Sequence, residues 1–421
     1  MPPGMDDTFE RLRIETLNAR GEGMTADGRV VAGALPGEVL RSPGRVGLDL
    51  ETTSPQRAAP ICKYYGVCGG CATQHFSPDL YASWKRGLVV AALEKVGVAA
   101  QVGALVDAHG EGRRRATFHA RFLPNKRDEV GFMRARSHEI VEIDACPLFS
   151  PGLSGAIAAA RALTGDLRGL EKPLDIQVTA TLGGLDVDIR GTGALEGAEL
   201  RKLAHTAQVH DLARVANHGR SVIERRPPEI AFGDARVIAP AGGFLQATVA
   251  AEEAMAALAL AALKGSKKIA DLFCGAGAFA FRLAPRHDVL ALDSDAAAIS
   301  AMTRARATAP EAQRVTAETR DLFHRPLRPE ELEAFDAVLF DPPRAGALAQ
   351  AKELARSKVP VAVAVSCNAE SFSRDARALV DGGYNLESVT PLDQFRFSPH
   401  VEIVALFRRK RESKRRRGVL S

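Results

Sequence analysis

The stretch Asp271-Leu-Phe-Cys-Gly-Ala-Gly-Ala-Phe-Ala-Phe281 decides the fold. It follows the short apolar run Lys268-Ile269-Ala270 and leads into a helix-like run, so it reads as strand, glycine turn and helix. Gly275 and Gly277 lack a Cβ, which lets the backbone turn tightly and a ligand approach it closely. About twenty residues on, Val289-Leu-Ala-Leu-Asp293 is an apolar strand ending in an acid, placed to accept hydrogen bonds from the two hydroxyls of a ribose. Together these features call for a nucleoside-containing cofactor. A dinucleotide fingerprint would carry a third glycine where this chain has Ala280. Asp271 at the mouth of the loop suits a cationic, amino-acid-bearing ligand better than a pyrophosphate, and S-adenosylmethionine fits.

Outward from this loop the chain alternates helix and strand from about residue 243 to its last strand. Gly243-Phe-Leu-Gln-Ala-Thr248 leads into an Ala-rich helix, and a helix over 296–307 follows the Asp293 strand. Ala337-Val-Leu-Phe340 runs straight into Asp341-Pro-Pro-Arg344. Val361-Ala-Val-Ala-Val365 ends in Ser366-Cys367-Asn368, and strands at 387–390 and 401–407 finish the sheet. Repeated βα units imply an α/β, doubly wound, Rossmann-like parallel sheet with ligands at the carboxyl ends of its strands. Asp271, Asp293, Asp341 and Cys367 all fall at such ends.

Length and composition agree. A chain of 421 residues holds two or three domains. Its 46% hydrophobic and 25% charged content is that of a soluble globular protein. No run approaches a membrane span and the first residues do not form a signal peptide, so no membrane partner and a cytoplasmic location are expected. The net charge is only +5, but Arg113-Arg114-Arg115 and the tail from Arg408 to Arg417 are basic blocks, which favour a polyanion.

Before the α/β region the pattern differs. Residues about 9–50 read as short strands and Gly-rich turns, including one strand over 35–40, and suggest a small OB-like β-barrel. Cys62, Cys68 and Cys71 follow with C-x5-C-x2-C spacing, and Cys146-Pro147 comes later. Four loop thiols in an intracellular chain point to a metal centre, a [4Fe–4S] cluster or a structural zinc, and the wide spacing favours iron–sulfur. Residues 79–97 read as an amphipathic helix. Strands over 117–123, 130–133 and 139–143, a turn at 125–128, a hairpin of 175–181 with 185–189, and a helix over 196–210 make a β-rich middle domain.

Cys367 sets the chemistry. Uracil C5 is a poor nucleophile, but thiolate addition at C6 makes an enolate whose C5 can attack a sulfonium methyl. A base must then remove the C5 proton. Glu402, in His400-Val-Glu402, is the candidate base, and Gln246 and Asp341 are candidates for cofactor or base-edge contacts. Cys274, inside the cofactor loop, is the rival thiol and reads as packing.

These motifs resemble the RNA 5-methyluridine methyltransferases. The matching stretches are Cys62…Cys68-Gly-Gly-Cys71-x-x-Gln74-His75, Cys146-Pro147, Gly243-Phe-Leu-Gln246, the 271–277 loop, Asp341-Pro-Pro-Arg344, Ser366-Cys-Asn368 and His400-Val-Glu402, in family order. The resemblance implies Cys367 as nucleophile and Glu402 as proton acceptor. It implies Gln246, Phe273, Asp293, Asp321 and Asp341 around S-adenosylmethionine, and Cys62, Cys68, Cys71 and Cys146 as [4Fe–4S] ligands. It further implies a class I S-adenosylmethionine-dependent methyltransferase domain over 79–111 and 241–410, a middle domain over 59–78 and 112–240, a shortened TRAM-like barrel over 8–58, and a basic tail over 411–421. The iron–sulfur set points to 23S rRNA as partner, with no DNA and the protein a monomer. A tRNA uridine, or a non-catalytic RNA-binding role in ribosome assembly, are the alternatives. The chain departs from the family pattern at Ala369, where a proline is usual, and at Ala278, where a polar side chain is usual.

Overall fold

The computed structural model describes residues 10–42, 48–124 and 127–410. The basic tail over 411–421 and part of the turn expected at 125–128 lie outside the described residues. No helix among the described residues is long and apolar enough to cross a membrane.

The N-terminal residues form two three-stranded antiparallel sheets, one from Glu10–Arg13, Val39–Ser42 and Leu50–Thr52, the other from Thr16–Leu17, Gly23–Met24 and Val30–Val31. Ile14, Ala34 and Leu40 close the core between them. The strand expected over 35–40 begins only at Val39. Pro36 and Gly37 make a turn instead, and the buried Glu38 carboxylate anchors it, accepting the Leu35 amide at 2.7 Å and the Arg57 Nε at 2.6 Å.

The middle unit is a seven-stranded sheet in the spatial order Ile140–Glu142, Glu129–Met133, Arg115–Arg121, Leu174–Thr181, Gly184–Arg190, Leu212–Asn217 and Arg220–Glu224. All neighbours are antiparallel except Gly184–Arg190 with Leu212–Asn217. Arg115–Arg121 alternates half-buried and buried positions along its whole length, the period-2 mark of a sheet with one covered face. Helices Ala156–Asp166 and Gly197–Val209 supply that cover.

The catalytic unit starts with helix α1, Pro78–Lys95, whose N-terminus is capped by Ser77. Strand β1, Val106–Asp107, follows. The chain returns after the middle unit with α2 (Val249–Ala262), β2 (Lys268–Leu272), α3 (Ala280–Leu283), β3 (Asp288–Asp293) and α4 (Ala296–Ala305). Then come β4 (Val315–Thr319), β5 (Ala337–Phe340), α5 (Leu348–Arg356), β6 (Val361–Ser366), α6 (Ala369–Asp381), β7 (Tyr384–Asp393) and β8 (Glu402–Arg409). The sheet order is β4-β3-β2-β5-β6-β8-β7-β1.

Successive residues of the central strands point to opposite faces. Val363 and Val365 of β6 join the apolar cluster under α2, α3 and α4, whereas Ala362 and Ala364 join the one under α1, α5 and α6. Strands buried on both faces read as continuous apolar runs, which is why β5 and β6 are Ala/Val/Leu/Phe almost throughout. The hairpin of Glu229–Phe232 and Ala235–Ile238 also packs in the first of these clusters, through Ile230, Phe232 and Val237.

Two expectations need correction. The sheet is mixed, because β8 runs antiparallel to both β6 and β7. The connection over 394–401 is too short for a crossover helix, so the chain can only turn back on itself. The helix after the glycine loop is only one turn long: it ends at its C-cap, Ala284, and Pro285, which has no N–H to donate, follows.

Candidate active site

The β2–α3 loop has the form of a ligand cradle. Phe273 holds a left-handed backbone (φ 61°), which an aromatic residue adopts only when its surroundings impose it. A Cβ on Gly277 would lie 2.7 Å from the Phe281 ring, so only glycine fits there. A Cβ on Gly275 would meet open space, and its amide donates to Asp293 Oδ2 at 2.9 Å. Asp293 Oδ1 accepts the Asp295 amide at 2.8 Å, so the carboxylate is oriented before any ribose arrives and each oxygen keeps acceptor capacity. Asp321, at the end of the next segment, is turned by the Phe323 amide (2.9 Å) and His324 Nδ1 (2.7 Å). The rings of Phe273 and Phe323 meet at 5.4 Å.

Beneath the loop, Asp271 is fully buried and neither of its carboxylate oxygens has a hydrogen-bond partner. Burial pushes its carboxyl up to about 8, with Asp293 adding repulsion and the nearby Ala280 amide opposing. An orphaned buried acid under an open glycine cradle is a fit for a ligand carrying positive charge. S-adenosylmethionine is such a ligand, and the residues present accommodate it.

The candidate nucleophile and base lie at the adjoining ends of two neighbouring strands. Cys367 leaves the end of β6 and Glu402 opens β8. The ladder ends with Ser366 facing Ile403, so Cys367 and Glu402 are the next pair in register. Cys367 is half-buried. Burial raises its thiol to about 11, Glu402 and Asp341 add to the rise, and Arg344 opposes it. Glu402 is 2% exposed, and burial lifts its carboxyl to about 7 against the pull of Gln394, Lys85 and Arg344. A carboxylate poised near neutrality suits a general base. Arg344 is itself held by His400, 2.6 Å from Nη2 to Nδ1. Beside Cys367 opens a cleft of about 650 Å³ lined by Asn18, Trp84, Lys95, Asn368 and His400, joining the N-terminal unit, α1 and α6.

A chain of amides joins the cofactor side to the base. Gln246 Nε2 donates to Asp341 Oδ2 at 3.1 Å. Gln394 Nε2 donates to Gln246 Oε1 and to Glu402 Oε1, both at 2.8 Å, while Gln394 Oε1 accepts the Ala247 amide at 2.9 Å. Asp341 is pushed well up by burial and by Glu402, Asp271 and Asp293. One residue earlier than Gln394, Asp393 accepts the buried ammonium of Lys85 and the Tyr81 hydroxyl at 2.7 Å.

The four cysteines gather elsewhere. Cys62, Cys68, Cys71 and Cys146 line one cavity of about 600 Å³, walled also by Arg113, Arg115, Phe149 and Phe395. None is in a disulfide. Burial pushes the thiols of Cys68 and Cys71 up, and that of Cys146 to about 11. Among the described residues no three His, Cys, Asp or Glu side chains stand at metal-holding spacing, these cysteines included. The donor set is nonetheless four soft thiols facing four arginines, with no carboxylate or imidazole on the wall, and this chemistry fits a thiolate-bound cluster. The loop carrying them is tied to the catalytic unit. The Phe397 carbonyl accepts the Ala72 amide at 2.7 Å and the Thr73 amide at 3.2 Å.

The site residues expected from sequence thus fall into two groups. Gln246, Phe273, Asp293, Asp321, Asp341, Cys367 and Glu402 lie along the carboxyl edge of one sheet. Cys62, Cys68, Cys71 and Cys146 share the cavity in the middle unit. Cys274 is 5% exposed and packs its sulfur 3.7 Å from that of Met302, away from the reactive pair. Sequence reading passed over Lys85 and Gln394. The signal for Gln394 was a polar pair, Asp393-Gln394, directly after the apolar Pro391-Leu392 end of the strand Tyr384–Asp393. For Lys85 it was a lysine on the apolar face of α1, where it is fully buried.

A mixed class I sheet with a cationic-ligand cradle, a thiol and a buried carboxylate on one edge defines an S-adenosylmethionine-dependent methyltransferase. Comparison with known proteins narrows this. Residues 235–410 match the family described as tRNA (Uracil-5-)-methyltransferase. An uncharacterized RNA methyltransferase of Brucella suis is 42% identical over 409 residues, covering 96% of this chain and 98% of that one. The 23S rRNA (uracil(1939)-C(5))-methyltransferase RlmD of Chromohalobacter salexigens is 31% identical over 435 residues, covering 96% of this chain and 90% of that protein. The crystal structure of Pyrococcus abyssi tRNA (uracil-54, C5)-methyltransferase with S-adenosyl-L-homocysteine shares the fold, at a TM-score of 0.74 and 24% identity over 94% of this chain and 99% of that one. The chain belongs to the RNA 5-methyluridine methyltransferase family.

Proposed function

We propose that this protein methylates C5 of a uridine in 23S rRNA through a covalent adduct between Cys367 and uracil C6. The observation that carries the reading is the Cys367–Glu402 pair, adjacent in register at the edge that also holds the cofactor cradle. Bound S-adenosylmethionine would supply an electrophilic methyl group, and Gln246, Phe273, Asp293, Asp321 and Asp341 would hold it, with the buried Asp271 beneath the loop. Cys367, as thiolate, forms a bond to C6, and the electron pair of the C5–C6 double bond moves into the ring enolate. The enolate's electron pair at C5 then forms a bond to the methyl carbon, and the S–CH3 bond pair would return to the sulfonium sulfur as a neutral thioether. Glu402 removes the C5 proton, the double bond re-forms, and the C6–S bond breaks to return the thiolate. Arg344, whose charge acts on both Cys367 and Glu402, stabilises the thiolate. A uridine in folded RNA must be turned out of its stack to enter the cleft beside Cys367.

The ribosomal target rests on the relative named for 23S rRNA and on the cysteine set. Cys62, Cys68, Cys71 and Cys146 would ligate a [4Fe–4S] cluster, and the two small N-terminal sheets serve as a TRAM-like RNA-binding unit. Incubation with 5-fluorouridine RNA and S-adenosylmethionine should trap a covalent adduct that Cys367→Ala loses. An adduct persisting in that variant would remove Cys367 from the mechanism. Mass-spectrometric mapping in cells lacking the protein should find 5-methyluridine missing from 23S rRNA, and loss from tRNA alone would move the target.

A further inference from the structure

Gln394 lies between the two working ends of the site, and the direction of its hydrogen bonds is fixed by the backbone. The Ala247 N–H can only donate, so Gln394 Oε1 must be the atom facing it. That turns the Gln394 NH2 toward Gln246 Oε1 and Glu402 Oε1. With its oxygen occupied, Gln246 must present its own NH2 to Asp341. One backbone amide thereby sets the sense of two side-chain amides 148 residues apart in sequence. Gln394 is 1% exposed, so water cannot replace these bonds, and Glu402 is 2% exposed.

We propose that Gln394 is a positioning residue for proton removal, holding Glu402 by Oε1 so that Oε2 faces the substrate and fixing Gln246 with its amino group toward Asp341. This rests on the reading of Glu402 as the C5 proton acceptor. It adds a division of labour: Gln394 governs the step after methyl transfer and leaves thiol attack alone. The groups facing Glu402 are Lys85 from α1, Arg344 from the loop after β5, Cys367 from the end of β6, and Asp341 from the end of β5. Gln394 is the neutral donor among them. Removing its hydrogen bond makes the carboxylate form of Glu402 less favourable and moves its titration to higher pH.

The test compares wild type, Gln394→Met and Gln394→Glu in the full-length protein with one RNA substrate. Met is unbranched and of similar size but cannot donate. In Gln394→Met the acidic limb of the single-turnover rate profile should move up by roughly one pH unit, the size of one hydrogen bond to a charged group. The covalent adduct should build up on ordinary uridine RNA because release is slowed. Trapping by 5-fluorouridine RNA should proceed at the wild-type rate, since fluorine already blocks proton removal. S-adenosyl-L-homocysteine binding and the melting temperature report whether the variant is folded. If Gln394→Met does not fold, Gln394→Glu decides, and its like charge should move the limb further upward. An unmoved limb in a folded variant overturns the assignment. Failure of wild type to trap 5-fluorouridine RNA would instead overturn the catalytic reading on which it stands.

Discussion

Ser366 faces Ile403 across the last antiparallel step of β6 and β8, which makes Cys367 and Glu402 the pair that the ladder would form next. Neighbouring paired positions in an antiparallel ladder stand about 4.5–5.5 Å apart. That span suits a nucleophile and a base acting on adjacent carbons of one ring. Glu402 sits in the sheet itself, and Cys367 is the first residue beyond the end of β6.

Glu402→Gln separates the two halves of the reaction. Methyl transfer to the Cys367 adduct should still occur, but release should slow by at least about 10²-fold. The denaturation-resistant protein–RNA species on ordinary uridine RNA measures it. Equal loss of adduct and product would show Glu402 acting before release.

The pH dependence of wild type follows from two raised groups. Glu402 must be ionised to accept a proton and Cys367 must lose one to attack, so both favour higher pH. Turnover should therefore rise through about 7 with Glu402 and continue to rise toward the Cys367 value near 11. In Glu402→Gln the inflection near 7 should vanish while the thiol-dependent rise remains. Stopped-time methyl incorporation across a buffer series reads both.

Asp271 makes the ligand-free protein pH-sensitive. Its folded carboxyl titrates at about 8, above the ordinary 3.8 of the unfolded chain. The folded state thus keeps a proton that the unfolded state loses. This contribution is complete below the unfolded value and is lost as pH rises through about 8. Melting temperature should fall between pH 5 and 8.5 in wild type and fall less in Asp271→Asn. The same variant should bind S-adenosylmethionine more weakly, by roughly tenfold or more, as expected when a charge-assisted contact is lost. A variant with unchanged affinity would show Asp271 to be structural only.

Glu252 on α2 is fully buried and clamps Arg114 of the middle sheet and Arg282 of α3, the latter at 2.7 Å. Arg114 Nε in turn donates to the Gln246 carbonyl at 2.9 Å. Glu252→Ala leaves two arginines without their acid and should cost about 3–5 kcal/mol by thermal or urea unfolding. Glu252→Leu should cost no less, because the guanidinium charges remain.

Cys68→Ser tests the middle-unit cavity. The purified variant should lose most of its iron and its broad visible absorbance and should melt earlier. Stoichiometric zinc in wild type would exclude the iron–sulfur assignment.

What sequence exposed was governed by distance along the chain. Asp271, Asp293, Asp341 and Cys367 each end an apolar run, and the topology of alternating β and α units places all such ends on one edge. Glu402 was readable only through its motif, since its arrival at that edge depends on a reversed strand that the repeating pattern does not announce. Gln394 and Lys85 depend on partners 148 and 308 residues away, and neither contact leaves a local periodicity. The N-terminal strand over 35–40 failed for the opposite reason: its apolar ends masked a local Pro36-Gly37 turn, fixed by a buried glutamate that gathers turn amides around itself.

The carbonyl of Phe397 holds both Ala72 and Thr73 while sitting in the turn between Gln394 and Glu402. Whatever settles the segment after Cys71 therefore also sets the tension on the turn that aims the proton acceptor. Displacing the segment after Cys71 would thus reach the stretch between Gln394 and Glu402 through two backbone hydrogen bonds.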